Sequence, residues 1–360
     1  MSSTAIPVTS LAERRKVLAA VVVGTSIEWY DFFIYAFLAN LVFAKLFFEL
    51  AGPDLMQLLS LVTIGISFLF RPLGAVLAGY FGDKLGHRPM LVITLVGMGL
   101  ATALVGVLPG YESIGITAPL LVILLRILQG ISVGGEWGGA VLMSVEHAPA
   151  GLRGRYGMVV QTGVPIGMLL ASGVLAAVTA LFPGDTFATI GWRIPFLLTL
   201  VLVLVLVLVV VGYVVRRSVD ESPVFEQIKE TAQEESAPLS RVFKRYGIIV
   251  LGCALVFMGN NSAGYMTTGG FVQGYASRGP AEGGLGFDRT GVQLAVLAGA
   301  VSWLVFTILA GYLSDRIGRR RTYMIGWAAL AIGLLPLFVL VERGWRGWRS
   351  RPSCSGSAWA

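Results

Sequence analysis

Residues 79–89 read Gly79-Tyr80-Phe81-Gly82-Asp83-Lys84-Leu85-Gly86-His87-Arg88-Pro89, a short charged turn between two long apolar runs. The same pattern returns, again between apolar runs, as Gly311-Tyr312-Leu313-Ser314-Asp315-Arg316-Ile317-Gly318-Arg319-Arg320-Arg321. In each copy the first glycine, the aspartate and the later glycine keep the same spacing. A chain that places one charged turn at two distant, equivalent points is predicted to consist of two related halves.

The composition indicates that lipid surrounds most of this chain. Of its 360 residues, 56% are hydrophobic and only 13% are charged, whereas a soluble domain carries about 25% charged residues. The formal charge of +7 would favour nucleic acid as the partner of a soluble protein. Here the basic residues lie in loops between apolar stretches, so the sequence predicts the lipid bilayer as a partner and no nucleic acid.

Nine apolar stretches are long enough to cross a bilayer, which takes about 20 residues each. Each must be helical, because unpaired backbone groups are too costly in lipid. Glycines within them, such as Gly130 and Gly134, allow neighbouring helices to approach closely. The predicted fold class is therefore an all-α integral membrane protein. The predicted spans lie near Val17–Phe48, Leu55–Phe81, Pro89–Leu108, Ile116–Val145, Tyr156–Phe182, Trp192–Val215, Tyr246–Tyr275, Thr290–Leu313 and Thr322–Val341.

The lysines and arginines predict the orientation in the membrane. One set of alternating loops carries nearly all of them, whereas the opposite set, through the eighth span, carries only Arg193, Arg278 and Arg289. Basic loops stay on the cytoplasmic side. The N-terminus and the even-numbered loops are therefore predicted to be cytoplasmic.

The spans also predict how the chain is divided. A six-helix bundle is expected over 1–215, a cytoplasmic linker over 216–245 and an incomplete bundle of three helices over 246–341. The tail 342–360 changes abruptly to arginine, tryptophan, serine and glycine, and its arginines would face the outside. We expect this tail to be foreign to the fold; an ordinary disordered terminus is the alternative.

Five ionisable side chains lie within the predicted spans, where charge is expensive and usually functional. We predict that Glu28, Asp31 or Glu136 binds a coupling proton. Arg71 and Arg126 are predicted to hold an anionic group by forked hydrogen bonds. The alternative is that these charges pair with one another only to fix helix packing.

Helical spacing relates these residues to one another. Glu28 and Asp31 are three residues apart and share a helix face, which Tyr35 continues. Arg126 and Glu136 are separated by roughly 80° around their helix, at about 100° per residue. They are therefore predicted to line one broad cavity wall without pairing directly.

Uncharged polar residues within the spans are further candidates for substrate binding. They are Gln129, Gln161, Asn260 and Asn261. Asn260 and Asn261 lie between glycines in an apolar run, which allows a locally opened helix. Hydrogen bonding between helices is the equally weighted alternative.

The repeated turn predicts a conformational latch on one side of the membrane. Gly79 and Gly82 would let helices touch, and Asp83 would favour a helix N-terminus. Lys84 and Arg88 would pair with Asp83 or with lipid phosphate. A solvated turn without a latch is the alternative. The predicted latch residues are Gly79, Asp83, Gly86, Arg88, Gly311, Asp315, Gly318 and Arg319.

Enzyme chemistry finds no support in the sequence. There is no His/Cys/Asp cluster with metal spacing, no nucleotide-binding loop and no nucleophile motif. The two cysteines, Cys253 and Cys354, give no disulfide framework. We expect neither a metal nor a cofactor.

The two copies of the charged turn resemble the signature loop of the major facilitator superfamily, and Arg126-Ile127-Leu128-Gln129-Gly130 resembles its fourth-helix motif. Further blocks are similar to the metabolite:proton symporters, which include permeases for shikimate, α-ketoglutarate, citrate, and proline or betaine. These blocks are Gly24–Phe32, Phe70–Gly74, Gly134–Gly138, Gly191–Phe196 and Glu221–Phe225.

The resemblance implies twelve spans in two six-helix halves, with the substrate between them near the membrane midplane. This chain shows the first half and three spans of the second, so we expect a C-terminal truncation. The predicted function is proton-coupled symport of a small carboxylated or zwitterionic metabolite by alternating access, as a monomer in a bacterial-type inner membrane. An inactive truncated remnant and a proton-coupled drug exporter are the alternatives.

Overall fold

The computed structural model describes residues 11–85, 87–134, 144, 148–149, 151–216, 244–255, 275–276, 284–287 and 289–349. Every regular element within these residues is helical. The helices, numbered in chain order, are α1 (Leu11–Leu38), α2 (Ala44–Phe48), α3 (Pro53–Leu85), α4 (His87–Val107), α5 (Tyr111–Ile114), α6 (Thr117–Gly134), α7 (Arg153–Leu181), α8 (Asp185–Thr189), α9 (Ile194–Arg216), α10 (Arg289–Ile317) and α11 (Arg319–Arg349). Residues 244–255 are also helical.

The first, second, third, fifth, sixth and eighth predicted spans coincide with apolar helices of the described chain. The fourth does so as far as Gly134, and 135–143 and 145 lie outside the described residues. Within the described residues, five helical stretches are long and apolar enough to cross a membrane, and Val92–Val107 and Gly191–Val205 are shorter apolar helices. The ninth predicted span lies within α11. Of the seventh, only 246–255 and Tyr275 belong to the described residues.

The charged turn is shorter than the sequence predicts. In its first copy α3 continues to Leu85 and α4 begins at His87. In its second copy α10 continues to Ile317, and only Gly318 separates it from α11. Gly318 has φ +88°, a left-handed conformation that glycine adopts without a steric penalty. Because one such residue redirects the chain, the rest of the motif remains helical.

The predicted boundary at residue 341 is not a helix end. α11 continues without a break through Arg349. Arginine is a good helix former and tryptophan a tolerable one, so the change of composition does not by itself end the helix.

Helix α1 lies at the centre of the described bundle. It packs along α7 and against α9, while α3 packs along α6, and α4 against both α6 and α9. Helix α10, from the second predicted half, packs along α7. The residues on α1 therefore meet helices from across the first half.

Glycines make the closest of these contacts, as the sequence predicts for Gly130 and Gly134. A Cβ added to Gly130 would lie 2.9 Å from the carbonyl carbon of Ser67, and one added to Gly134 would lie 2.8 Å from the carbonyl carbon of Arg71. The missing side chains thus let the backbones of α3 and α6 touch.

A π-helical turn, Ala39–Phe43, interrupts the first span between α1 and α2. The carbonyl oxygen of Ala39 accepts a hydrogen bond of 2.8 Å from Ser60 Oγ on α3. Beyond the turn, Phe43 stacks on Phe196 with ring centroids 5.7 Å apart and meets Trp192 edge-on at 5.5 Å. These buried rings anchor the first span to the start of α9.

Candidate functional site

Buried charged and polar residues from α1, α3 and α6 line one narrow cavity. Its volume is about 10 Å³, room for about one water molecule and far below the range of about 300–1,000 Å³ for small-molecule pockets. A substrate therefore requires these helices to move apart. The lining residues of the cavity are Glu28, Asp31, Phe32, Ile64, Ser67, Arg71, Arg126, Gln129 and Val133. The lining thus combines three apolar side chains with two carboxylates, two guanidinium groups, an amide and a hydroxyl group.

Glu28 and Arg71 form an ion pair across α1 and α3. Arg71 Nη1 lies 3.7 Å from Glu28 Oε1. The Glu28 side chain is 3% exposed and that of Arg71 22%, and the Arg71 guanidinium lies 4.4 Å from the centroid of the Phe68 ring. The charge of Arg71 is therefore already compensated by a carboxylate.

Asp31 is engaged by an amide. Gln129 Nε2 donates a hydrogen bond to Asp31 Oδ2 and another, of 3.1 Å, to Thr102 Oγ1 on α4. All three residues are buried. Three helices, α1, α4 and α6, therefore meet at the Gln129 side chain.

Arg126 is held by an aromatic ring. Its guanidinium carbon lies 3.4 Å from the centroid of the Tyr35 ring, and Tyr35 Oη lies 2.6 Å from Thr63 Oγ1. No carboxylate among the described residues lies within 4.0 Å of Arg126, and its Nε and Nη2 atoms have no hydrogen-bond partner there. Arg126 is only 2% exposed, so bulk solvent scarcely reaches these donors.

The structure brings together five of the predicted binding residues, Glu28, Asp31, Arg71, Arg126 and Gln129. Tyr35 lies behind Arg126 and does not line the cavity. Gln161 is exposed on α7 and also does not line it. Glu136, Asn260 and Asn261 lie outside the described residues.

Hydroxyl residues around the charges were missed by the sequence reasoning. Thr102 bonds Gln129, Thr63 bonds Tyr35, and Ser67 lines the cavity. Their signal in the sequence is weak, because single hydroxyl residues in apolar spans also serve as ordinary contacts between helices. Only the positions of their partners distinguish the two roles.

The second copy of the charged turn makes a contact between the predicted halves. Asp315 on α10 accepts hydrogen bonds from the backbone N–H groups of Gly154, at 2.7 Å, and Arg155, at 3.1 Å, in the first turn of α7. Arg155 Nε lies 3.6 Å from Asp315 Oδ2. Asp315 therefore meets the N-terminus of α7 and not that of the helix following the turn. The prediction of a helix N-terminus concerns Asp83, whose side chain lies outside the described residues.

Other latch residues differ in their surroundings. Gly311 is buried, and a Cβ there would lie 2.6 Å from Met158 Cγ on α7. A Cβ on Gly79 would meet open space, so the predicted close helix contact at Gly79 is not present. Arg319 is exposed. The side chains of Asp83 and Arg88, together with Gly86, lie outside the described part of the chain.

Comparison with known proteins identifies relatives along almost the whole chain. A family model of the Major Facilitator Superfamily matches residues 19–348. The chain is 38% identical over 318 residues to an inner membrane metabolite transport protein of Escherichia coli, with 88% of this chain and 70% of that protein covered. It is 36% identical over 342 residues to a shikimate transporter of Escherichia coli, covering 92% and 74%. A putative proline/betaine transporter of Staphylococcus aureus is 31% identical over 329 residues, covering 91% and 68%.

Solved structures show the same fold at lower sequence identity. The proton:xylose symporter XylE bound to 6-bromo-6-deoxy-D-glucose has a TM-score of 0.61 and 18% identity, with 86% of this chain and 70% of that chain covered. The inward open conformation of XylE from E. coli has a TM-score of 0.56 and 19% identity, covering 89% and 73%. At 18–19% sequence identity, this similarity shows a shared fold and nothing more.

Proposed function

This chain belongs to the major facilitator superfamily of multi-pass membrane transporters, and from that premise we propose that it carries out proton-coupled symport of a small carboxylated metabolite. Transport and not enzymatic chemistry is the activity of this family. The proposal adds a substrate class, a coupling ion and a binding site within the first six spans. We also propose that the protein is a monomer in a bacterial-type inner membrane, with its N-terminus in the cytoplasm.

The observation that carries the proposal is the unpaired edge of Arg126. Nε and Nη2 lie on the same edge of a guanidinium group, where two parallel N–H bonds match the two oxygens of a carboxylate. Both atoms are buried without a partner among the described residues. Buried donors without a hydrogen-bond partner are costly, so a carboxylate that reaches them gains a strong, oriented interaction.

The nearby carboxylates are the proposed proton sites. Glu28 and Asp31 line the same cavity as Arg126 and are almost completely buried. A proton on either group changes the charge that an arriving anion meets, which links proton binding to substrate binding. Glu136 remains a third proposed proton site.

Alternating access needs a contact that forms in one arrangement of the two halves and breaks in the other. We propose that Asp315, bonded to the start of α7, is such a latch on the cytoplasmic side. The first half would then comprise 1–215, joined through 216–245 to the part of the second half within 246–341.

Uptake into proteoliposomes that contain the purified 360-residue chain tests this proposal. Radiolabelled shikimate, proline and betaine are offered with an inward pH gradient, with an inward sodium gradient at constant pH, or with neither. We expect the pH gradient to drive accumulation of at least one compound. Accumulation driven by sodium alone would contradict proton coupling, and extrusion driven by the pH gradient would indicate an exporter.

Variants of Arg126 connect that uptake to the site. Arg126→Ala should abolish it, and Arg126→Lys should lower it about 10- to 100-fold, because lysine keeps the charge but loses the fork. Arg320→Lys is the matched control, since Arg320 is exposed on α11. Undiminished uptake by Arg126→Ala would remove this residue from the mechanism, and an inert wild-type chain would favour the inactive remnant.

A further inference from the structure

We infer that the carboxylate bound by this site must also carry a hydrogen-bond donor, a hydroxyl or N–H group, close to its carboxyl group. The inference rests on the proposed function and narrows its substrate class. It follows from the polar atoms of the cavity residues that have no partner among the described residues, because these atoms include both donors and acceptors.

Gln129 supplies the first of these atoms. Its Nε2 group donates to both Asp31 Oδ2 and Thr102 Oγ1, so both amide protons are used. An ionised carboxylate only accepts hydrogen bonds, and Asp31 therefore fixes which end of the amide faces it. Gln129 Oε1 is left buried, with no hydrogen-bond partner among the described residues, and an oxygen of this kind can only accept.

Asp31 supplies the second atom. One of its oxygens, Oδ2, is bonded by Gln129, while Oδ1 is buried without a partner in the described structure. Both Asp31 and Gln129 line the cavity that Arg126 also lines. The residues that line this one cavity thus carry two unpaired acceptors and two unpaired donors among the described atoms.

A simple carboxylate satisfies only half of this arrangement. Its oxygens would bond Arg126, but the acceptors on Asp31 and Gln129 would stay unpaired, as they are without a ligand. Such a ligand gains no binding energy from them, whereas one that carries a donor does. A hydroxyl or N–H group beside the carboxyl group would satisfy at least one of them. Sites built to bond such a group can reject an analogue without it by as much as about 10⁴-fold.

The arrangement therefore separates compounds that share a carboxyl group. Hydroxy acids and acids with a protonated secondary amine fit it. Acids whose only further groups are carbonyls, and quaternary ammonium acids such as betaine, do not, because they carry no donor.

Calorimetric titration of the purified chain with matched pairs of ligands tests the inference. The pairs are shikimate and cyclohexene-1-carboxylate, which differ in hydroxyl groups, and proline and N,N-dimethylproline, which differ in N–H groups. We expect the donor-bearing member of at least one pair to bind about tenfold tighter or more. The pair that shows the difference identifies whether the donor is a hydroxyl or an N–H group.

Variants assign the preference to its residues. Gln129→Met should weaken the tighter ligand about tenfold and change the donor-free ligand less than twofold. Thr102→Val, which releases one amide proton of Gln129, should reduce the preference in part. Gln293→Met is the matched control, since Gln293 is exposed on α10.

The outcomes separate the inference from the proposed function. If the two members of each pair bind within twofold of each other and Arg126→Ala abolishes both, the inference is wrong and the carboxylate site stands. An equal loss of both members in Gln129→Met also contradicts the inference. If no carboxylate binds at millimolar concentration, both proposals are wrong.

Discussion

At the scale of single residues, Arg126 carries most of the proposed chemistry. Its guanidinium lies over the Tyr35 ring, its side chain lines the cavity, and its Nε and Nη2 atoms have no partner among the described residues. Thr63 Oγ1 donates its own proton to Ser60 O at 2.6 Å, so Tyr35 must be the donor in its bond to Thr63. The hydrogen bond of its hydroxyl group thus holds the Tyr35 ring in place, and the ring in turn positions the Arg126 guanidinium.

Substitutions of Tyr35 separate the contribution of its ring from that of its hydroxyl group. Tyr35→Phe keeps the ring and loses only the bond to Thr63, so we expect a modest fall in carboxylate affinity. Tyr35→Leu removes a buried cation–π contact worth about 2 kcal/mol, and we expect about a 30-fold fall, at roughly tenfold per 1.4 kcal/mol. Titration with the ligand of highest affinity measures both, and equal losses in the two variants would contradict this role for the ring.

The cost of charge in lipid makes buried ionisable residues predictable from sequence alone. This cost marked Glu28, Asp31, Arg71 and Arg126 as candidate site residues, and all four line one cavity. The pairing between them was not predictable, because the relative heights and rotations of α1, α3 and α6 depend on packing. The sequence therefore did not indicate that Arg71 has a carboxylate within 4.0 Å and Arg126 has none in the described structure.

At the scale of helices, glycine contacts determine where the site residues stand. Gly134 on α6 packs on the backbone of Arg71 itself. The position of Arg71 therefore depends on Gly134 of the neighbouring helix α6. Gly134 lies eight residues after Arg126, the other arginine of the cavity.

Gly134→Ala tests that dependence. The added Cβ would lie too close to the α3 backbone, and overpacking of this kind costs about 1–3 kcal/mol. We expect a lower melting temperature and weaker carboxylate binding. Gly173→Ala on α7 is the control, because a Cβ there meets open space and alanine favours helix; equal effects of the two variants would rule out the packing argument.

The contact between α10 and α7 yields a prediction about its two partners. Asp315→Ala removes two backbone hydrogen bonds and an ion pair. Arg155→Ala removes the ion pair and the contact of its guanidinium with the Tyr312 ring, 4.5 Å from the ring centroid. Since the Arg155 side chain is 37% exposed, that pair contributes at most about 1 kcal/mol. We expect Asp315→Ala to lower the melting temperature more than Arg155→Ala, and similar shifts would show that the backbone bonds contribute little.

At the scale of the whole molecule, the distribution of basic residues predicts which surface faces the cytoplasm. The segment around α8 is poor in lysine and arginine, whereas α11 begins with three arginines in succession. The positive-inside rule therefore places these two segments on opposite sides.

Cysteine labelling in intact cells tests this orientation. With Cys253 and Cys354 replaced by alanine, Thr186→Cys should react with a membrane-impermeant maleimide from outside. Arg320→Cys should react only after the cells are permeabilised. Both positions are exposed, and the reverse pattern would overturn the predicted orientation.

Membrane spans were predictable because apolar length is a local property of the sequence. The end of α11 was not, because arginine and tryptophan near Arg349 change composition without breaking a helix. The sharpness of the turn at Gly318 was also missed, since a charged motif does not show how few residues leave the helix.

Because of the π-helical turn at Ala39–Phe43, the first span contains one residue more than a regular α-helix with the same flanks would need. A π-helical turn holds about one residue more than an α-helical turn, so a chain shortened by one residue there can close into a regular helix with both flanks in phase. Loss of Val23, in the regular part of α1, would instead rotate one flank by about 100° and carry Asp31 or its neighbours away from the cavity. We therefore expect a deletion of Leu41 to insert and fold in good yield, and a deletion of Val23 to fail.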